Sequence, residues 1–225
     1  MKTLQIHIFD FARESLEHLE RLAKGILTEG ILLEKKKKPL TYRSFLGGRA
    51  ALNLLLQKNG LDFQVLPHPE FGFLQLSSKS GEISKKWYCN ISHTESFAVA
   101  AISNCPVGVD VEQKDRDVQK ALTRIVSESE LKEFENADFP LKKEIQNPHL
   151  LLWTGKEAFS KAIGLGLRRG LRDFFIDWKS EQPLPGTTSI PGPLLLENPA
   201  LSFSLQNKFL VSICHEKGLN PFYFS

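Results

Sequence analysis

Cysteine is scarce in this 225-residue chain, and the three that occur do not pair up. Cys89, Cys105 and Cys214 are odd in number, far apart and form no CxxC. That argues against a disulfide framework or a zinc site, and for reduced, mostly buried thiols of a cytosolic protein. Long apolar runs are missing too. Nothing approaches the ~18 residues a membrane span needs. The opening stretch 1–11 is broken by Gln5, His7 and Asp10, which makes a poor signal peptide. No internal repeat is visible. Excess charge is small at +3, and four positive charges sit in one run, Lys35 to Lys38; without that run the balance is −1. A whole-surface nucleic-acid footprint is therefore not indicated, whereas a local patch for phosphates or an acidic partner stays open. These absences predict a soluble, cytoplasmic protein without membrane or nucleic-acid partners.

What remains is ordinary globular composition, 41% hydrophobic, enough for one large domain or two small halves. Leu4, Ile6 and Ile8 alternate with polar residues as in a half-buried strand. Helical spacing follows over 12–27. The charged segment from Gly30 to Pro39 reads as a loop, and Tyr42 to Leu56 as a second helix ending near Gly60. Strands are expected at 62–66, 71–76, 86–91 and 96–102. Cys105-Pro106 breaks the pattern, and a new strand starts at Val107. Ser127-Glu128-Ser129-Glu130 has capping-box spacing before a helix. A long helix is expected over 148–164, closed by Gly164 and Gly166. Strands at 171–178, 200–206 and 208–216 follow, with 181–199 as a loop.

Two segments carry chemistry. In Gly108-Val109-Asp110-Val111-Glu112 alternate side chains share a face. Val107, Val109 and Val111 then point to the core, and Asp110 and Glu112 project together about 7 Å apart. Such a pair suits a hard divalent ion, although an amphipathic strand with an acidic outer face has the same pattern. In Trp153-Thr154-Gly155-Lys156-Glu157-Ala158-Phe159-Ser160-Lys161, residues 153, 157 and 161 share one helical stripe. Leu151, Gly155, Ala158, Phe159 and Ala162 form another, suited to packing. A surface ion pair between Glu157 and Lys161 is the bland alternative.

Taken together, these residues resemble the 4′-phosphopantetheinyl transferases of the surfactin-synthetase-activating type. Residues 108–112 resemble that family's GxDxE motif, and residues 153–162 its WxxKEAxxKA motif. Ile163-Gly164-Leu165-Gly166-Leu167 is similar to its IGxGL continuation. Asn90-Ile91-Ser92-His93-Thr94 resembles its NxSHS segment, with threonine in the last place. Residues 45–52 are similar to its FxxGRxAL helix. The ordered set covers about residues 41 to 178.

The resemblance implies an α+β fold of two similar halves in pseudo-twofold arrangement. Residues 1–105 would contribute to CoA binding, and 106–225 would carry the metal site and catalytic helix, with CoA between them. It implies Mg²⁺-dependent transfer of the 4′-phosphopantetheine group from CoA to a serine of an apo acyl or peptidyl carrier protein, by a monomer. Asp110, Glu112 and Glu157 would bind the metal, and Glu157 and Lys161 would act in catalysis. Arg49, Ser92, His93, Lys156 and Lys161 would contact CoA. Arg43 and Lys35 to Lys38 would extend the positive patch or attract the carrier. The family often has Gly-Lys-Pro before its SH segment; here Gly72-Phe73-Leu74 stands there, leaving Lys79, Lys85 or Lys86 as substitutes. A homologue that binds CoA or a carrier without transfer is the alternative. A basic nucleic-acid adaptor is disfavoured, because no aromatics interleave with the lysine run. The carrier's pathway (fatty-acid, polyketide, nonribosomal-peptide or lysine) stays open.

Overall fold

The computed structural model describes residues 3–166, 171–178, 184–187, 193–219 and 221–224. They form two compact units, 1–105 with 219–225, and 106–218. Each builds its core by laying a helix on a mainly antiparallel sheet, giving a mixed α+β fold.

In the first unit, β1 (Leu4–Asp10) is followed by α1 (Leu16–Lys24), α2 (Glu29–Lys36) and α3 (Pro39–Lys58). Strands β2 (Gln64–Pro67), β3 (Leu74–Ser77), β4 (Ile83–His93) and β5 (Phe97–Ser103) complete the run. The final strand, β11 (Phe222–Phe224), pairs in parallel with β1, so the six strands lie in the order β11-β1-β5-β4-β3-β2. Residues 219–225 thus group with the first unit, where the sequence reading had assigned them to the second half. Helix α3 buries Leu46, Ala50, Leu52 and Leu55 against this sheet. Its Gly47-Gly48 pair permits the fit: a Cβ on Gly47 would meet the Phe11 ring at 2.4 Å, and one on Gly48 would meet Ile91 at 2.8 Å and His93 at 3.0 Å.

The segment read as a loop over 30–39 is helical up to Lys36. Ile31 and Leu32 rest on the first core. Lys35 and Lys36 close the last turn of α2, where positive charge complements the helix dipole. Pro39 is the first residue of α3 rather than a loop end, a position that needs no N–H. Helix α1 is shorter than the expected 12–27. It starts after Ser15, whose hydroxyl accepts from the His18 N–H at 3.1 Å.

In the second unit, β6 (Gly108–Gln113), β10 (Phe209–Glu216) and β9 (Pro199–Gln206) form a three-stranded antiparallel sheet in which β10 is central. Between β6 and β9 come α4 (Gln119–Ile125), α5 (Glu128–Asn136), a 3-10 turn at Pro140–Lys143 and α6 (Leu150–Ala162). A second 3-10 turn, Leu171–Asp173, leads into β7 (Phe174–Asp177), which pairs with β8 (Leu184–Thr187). Part of the loop expected over 181–199 is therefore strand. Residues 181–183 and 188–192 of that expectation, and Leu167 of the IGxGL match, lie outside the described residues. All three cysteines are free thiols, and no described helix is long and apolar enough to cross a membrane.

Helix α6 buries Leu151, Gly155, Ala158, Phe159 and Ala162, the stripe read as packing. It lies against the β6 face that carries Gly108 and Asp110. A Cβ on Gly108 would come within 1.9 Å of the Ala158 carbonyl oxygen and 2.4 Å of the Ala162 nitrogen. Backbone atoms cannot rotate away, so this glycine sets the helix–strand distance. Gly108→Ala is expected to lower unfolding free energy by roughly 3 kcal/mol or more, the upper end of overpacking costs. Urea denaturation checks this, and a wild-type midpoint would contradict it.

Candidate active site

Helix α6 and strand β6 together create the chemistry of the second unit. Asp110 is only 2% exposed and Glu157 8% exposed. The acidic face of β6 is thus the face the helix covers, which removes the solvated-strand alternative. Val109 and Val111 are buried as well. Glu157 projects from α6 beside Asp110, close enough for the two carboxyl groups to influence each other. Lys161, one turn further on, donates to Asp110 Oδ1 at 2.6 Å and to the Val109 carbonyl at 3.2 Å. Its Nζ lies 3.6 Å from Glu157 Oε2. The surface-pair alternative for Glu157 and Lys161 fails too: both belong to a three-membered network with Asp110 in which the two carboxylates are buried and the lysine is partly so.

Electrostatics reflect this crowding. Burial, and then the neighbouring Asp110 carboxylate, push the Glu157 carboxyl up to about 7 against the opposing pull of Lys161. Lys161 is raised despite burial, because Asp110 and Glu157 both favour its charged form. Two acids held side by side, with an ammonium between them, form a site built for positive charge.

Glu112 takes a different partner. It lies two residues on from Asp110 on the same strand face, but its carboxylate is ion-paired with Arg116. The Arg116 guanidinium in turn lies over the Trp153 ring, 5.0 Å from its centroid. Among the described residues, no three His, Cys, Asp or Glu side chains gather closely enough to hold a metal ion. The Asp110–Glu157 pair nevertheless fits an oxygen-seeking divalent cation. Magnesium is commonly held by one or two carboxylates, with phosphate oxygens and water completing its shell.

Lys156 corrects the sequence reading. It is fully buried, and its ammonium donates to Glu130 Oε2 at 2.7 Å, to the Leu171 carbonyl at 3.2 Å and to the Phe174 carbonyl. All three of its donors are used inside the fold, so none is left to reach a CoA phosphate. By sequence spacing its partner Glu130 belongs to a capping box with Ser127. Ser127 does cap α5, accepting from the Glu130 N–H at 3.2 Å. The Glu130 side chain instead turns inward, to Lys156 and to the Ile176 N–H at 2.9 Å. The sequence signal for this pair was an acid and a lysine in neighbouring helices, which is too common to single them out.

The other expected contacts belong to the first unit. Arg49 stacks its guanidinium 4.4 Å from the Phe45 ring centroid. Burial lowers it to about 10, and its Nε has no hydrogen-bond partner among the described residues. His93, exposed at the end of β4, lies over Gly48, next to Arg49 in the chain, and Ser92 beside it is buried. His93 thus meets α3 beside Arg49, whereas Ser92, one residue earlier on β4 and paired with Val99, faces the other side of the sheet. Arg43 is structural, since its Nη2 donates to the carbonyls of Phe11, Ala12 and Glu14 at 2.7, 3.2 and 2.8 Å. Within the lysine run, Lys36 pairs with Glu20 at 3.3 Å, and Lys35 lies over Phe45. Of the suggested Gly-Lys-Pro substitutes, Lys79 is 2.6 Å from Asp62, and Lys86 lies over Trp87.

Residues 106–214, which contain the whole Asp110–Glu157–Lys161 network, match the 4′-phosphopantetheinyl transferase superfamily. The chain is also similar to the 4′-phosphopantetheinyl transferase gsp of Aneurinibacillus migulanus. The two are 32% identical over 166 residues, which is 71% of this chain and 64% of that protein. The match thus spans less than two thirds of the relative's own length.

The buried Lys156–Glu130 pair generates a stability test. Glu130→Gln leaves a buried ammonium uncompensated and is expected to cost about 3–5 kcal/mol. Replacing both residues, Glu130→Leu with Lys156→Met, removes both charges and is expected to cost clearly less than the sum of the single changes. A double-mutant cycle by urea unfolding measures the difference; additive losses would contradict the pairing.

Proposed function

We propose that this chain, which belongs to the 4′-phosphopantetheinyl transferase superfamily, moves the phosphopantetheine arm of CoA onto a serine of an apo acyl or peptidyl carrier protein. The carrier serine oxygen attacks the CoA phosphorus that bears the pantetheine arm. A new serine O–P bond forms, the diphosphate bridge breaks, and adenosine 3′,5′-bisphosphate leaves. Little covalent work falls to the protein in such a reaction; positioning and charge compensation dominate.

The observation that carries this reading is the convergence of two acids and one lysine in a buried spot between β6 and α6. Asp110 and Glu157 would hold Mg²⁺, with Glu112 as the further carboxylate. When bound, that ion offsets the negative charge of the diphosphate. Glu157 would accept the serine proton, a role suited to a carboxyl whose affinity for protons is raised. Lys161 would donate to phosphate oxygens and to the departing oxygen. Arg49, whose planar fork suits phosphate, would bind CoA phosphates together with Ser92 and His93. Lys156 has no part in substrate contact; it ties α6 to the 3-10 turn and β7.

The test is labelling of a panel of apo carrier proteins with a fluorescent CoA, read by gel and by mass. Mg²⁺-dependent transfer is expected for at least one carrier. Glu157→Gln and Asp110→Ala are each expected to lower transfer by roughly a hundredfold or more while leaving circular dichroism unchanged. Turnover like wild type in either folded variant would overturn the roles. CoA binding without transfer to any carrier would overturn the transferase reading in favour of a binding protein.

A further inference from the structure

Beside the acid pair lies a second charged arrangement, formed by Glu112, Arg116 and Trp153. Arg116 sits in the turn that follows β6. Its N–H donates to the Gln113 carbonyl at 2.9 Å, and its own carbonyl accepts from Asn147 Nδ2 at 3.2 Å. The backbone is therefore anchored from two sides, and the side chain reaches back to Glu112. The guanidinium lies at the same time over Trp153, the residue one helical turn before Glu157 on α6. The pair is partly solvated: the Arg116 side chain is 42% exposed and that of Glu112 17% exposed. Ion pairs of this kind are weak and reversible.

We infer that Arg116 is a positioning residue acting through Glu112: it latches this carboxylate outside the Asp110–Glu157 pair, and a divalent cation at the pair competes with the guanidinium for it. The inference rests on the cation assigned to that pair under the proposed function. Glu112 shares its strand face with Asp110, so a change of side-chain rotamer suffices to change its partner. A doubly charged ion with a preference for oxygen offers the carboxylate more than a half-exposed guanidinium does. When Glu112 leaves, Arg116 loses one of its two side-chain anchors and its stacking on Trp153 loosens. The indole is thus a built-in reporter of the exchange.

The experiment titrates Mn²⁺ alone, without CoA, and follows the free ion by electron paramagnetic resonance. The proteins are wild type, Arg116→Gln, Glu112→Gln and the double variant. Arg116→Gln is expected to bind Mn²⁺ about three- to fivefold tighter, the worth of a partly exposed ion pair. That gain is expected to vanish in the Glu112→Gln background. In parallel, Mg²⁺ is expected to change tryptophan fluorescence in wild type, but not in Arg116→Gln or Trp153→Phe. An Arg116→Gln affinity equal to wild type would overturn the latch. So would a gain that persists without the Glu112 carboxylate, since charge alone would then explain it. No Mn²⁺ binding to either wild type or Arg116→Gln would instead overturn the cation assignment, and the latch with it.

Discussion

Two buried carboxylates share one partly buried ammonium, and the second unit is arranged around that constraint. Asp110 and Glu157 lie close enough to repel each other in a medium that screens poorly. Lys161 makes their coexistence possible, while burial and then the Asp110 charge outweigh its pull and hold the Glu157 carboxyl up at about 7. Such a triad can exist only if α6 sits close to β6. The missing side chain at Gly108 permits that approach, and the hydroxyl bridge from Ser212 to Thr154 at 2.7 Å joins the same helix to β10. Local packing and local charge thus have one purpose: they hold acids near a cation at a fixed distance.

Helix α6 carries two lysines with opposite roles. Five residues apart, Lys156 and Lys161 point about 140° away from each other around the helix axis. One faces the hydrophobic core and is neutralised there by Glu130; the other faces the acidic strand. Lys156 is fully buried and the Lys161 side chain only 22% exposed, so each charge needs its own partner. The helix cannot rotate without exposing an uncompensated charge on one side or the other. This pairing adds to the packing of Ala158, Phe159 and Ala162 in pinning the azimuth of Glu157.

Much of this was legible in the sequence, for identifiable reasons. The alternation around Asp110 and the 3.6-residue spacing around Glu157 are local signals, and both elements form where the periodicity places them. What the sequence could not reveal depends on distant partners. Nothing near Lys156 distinguishes a ligand-facing lysine from a core one, because its acceptors come from residues 130, 171 and 174. Glu112 looked equivalent to Asp110 by strand face alone, yet a turn residue four positions on holds it. The helix at 29–36 was hidden by a run of lysines that looks like solvent-exposed loop, although two apolar residues are enough to seat it on the core.

The parallel pairing of β11 with β1 has an implication for how the chain is made. The strand that finishes the first sheet's edge is synthesised only after the whole second unit has been. Until then, β1 presents an unsatisfied row of backbone donors and acceptors, the kind of surface on which nascent chains stick to one another. A fragment cut at residue 105 would keep that open edge permanently. The two units are separable by compactness, but the polypeptide threads out of the first and back into it, so the first is not an excisable module.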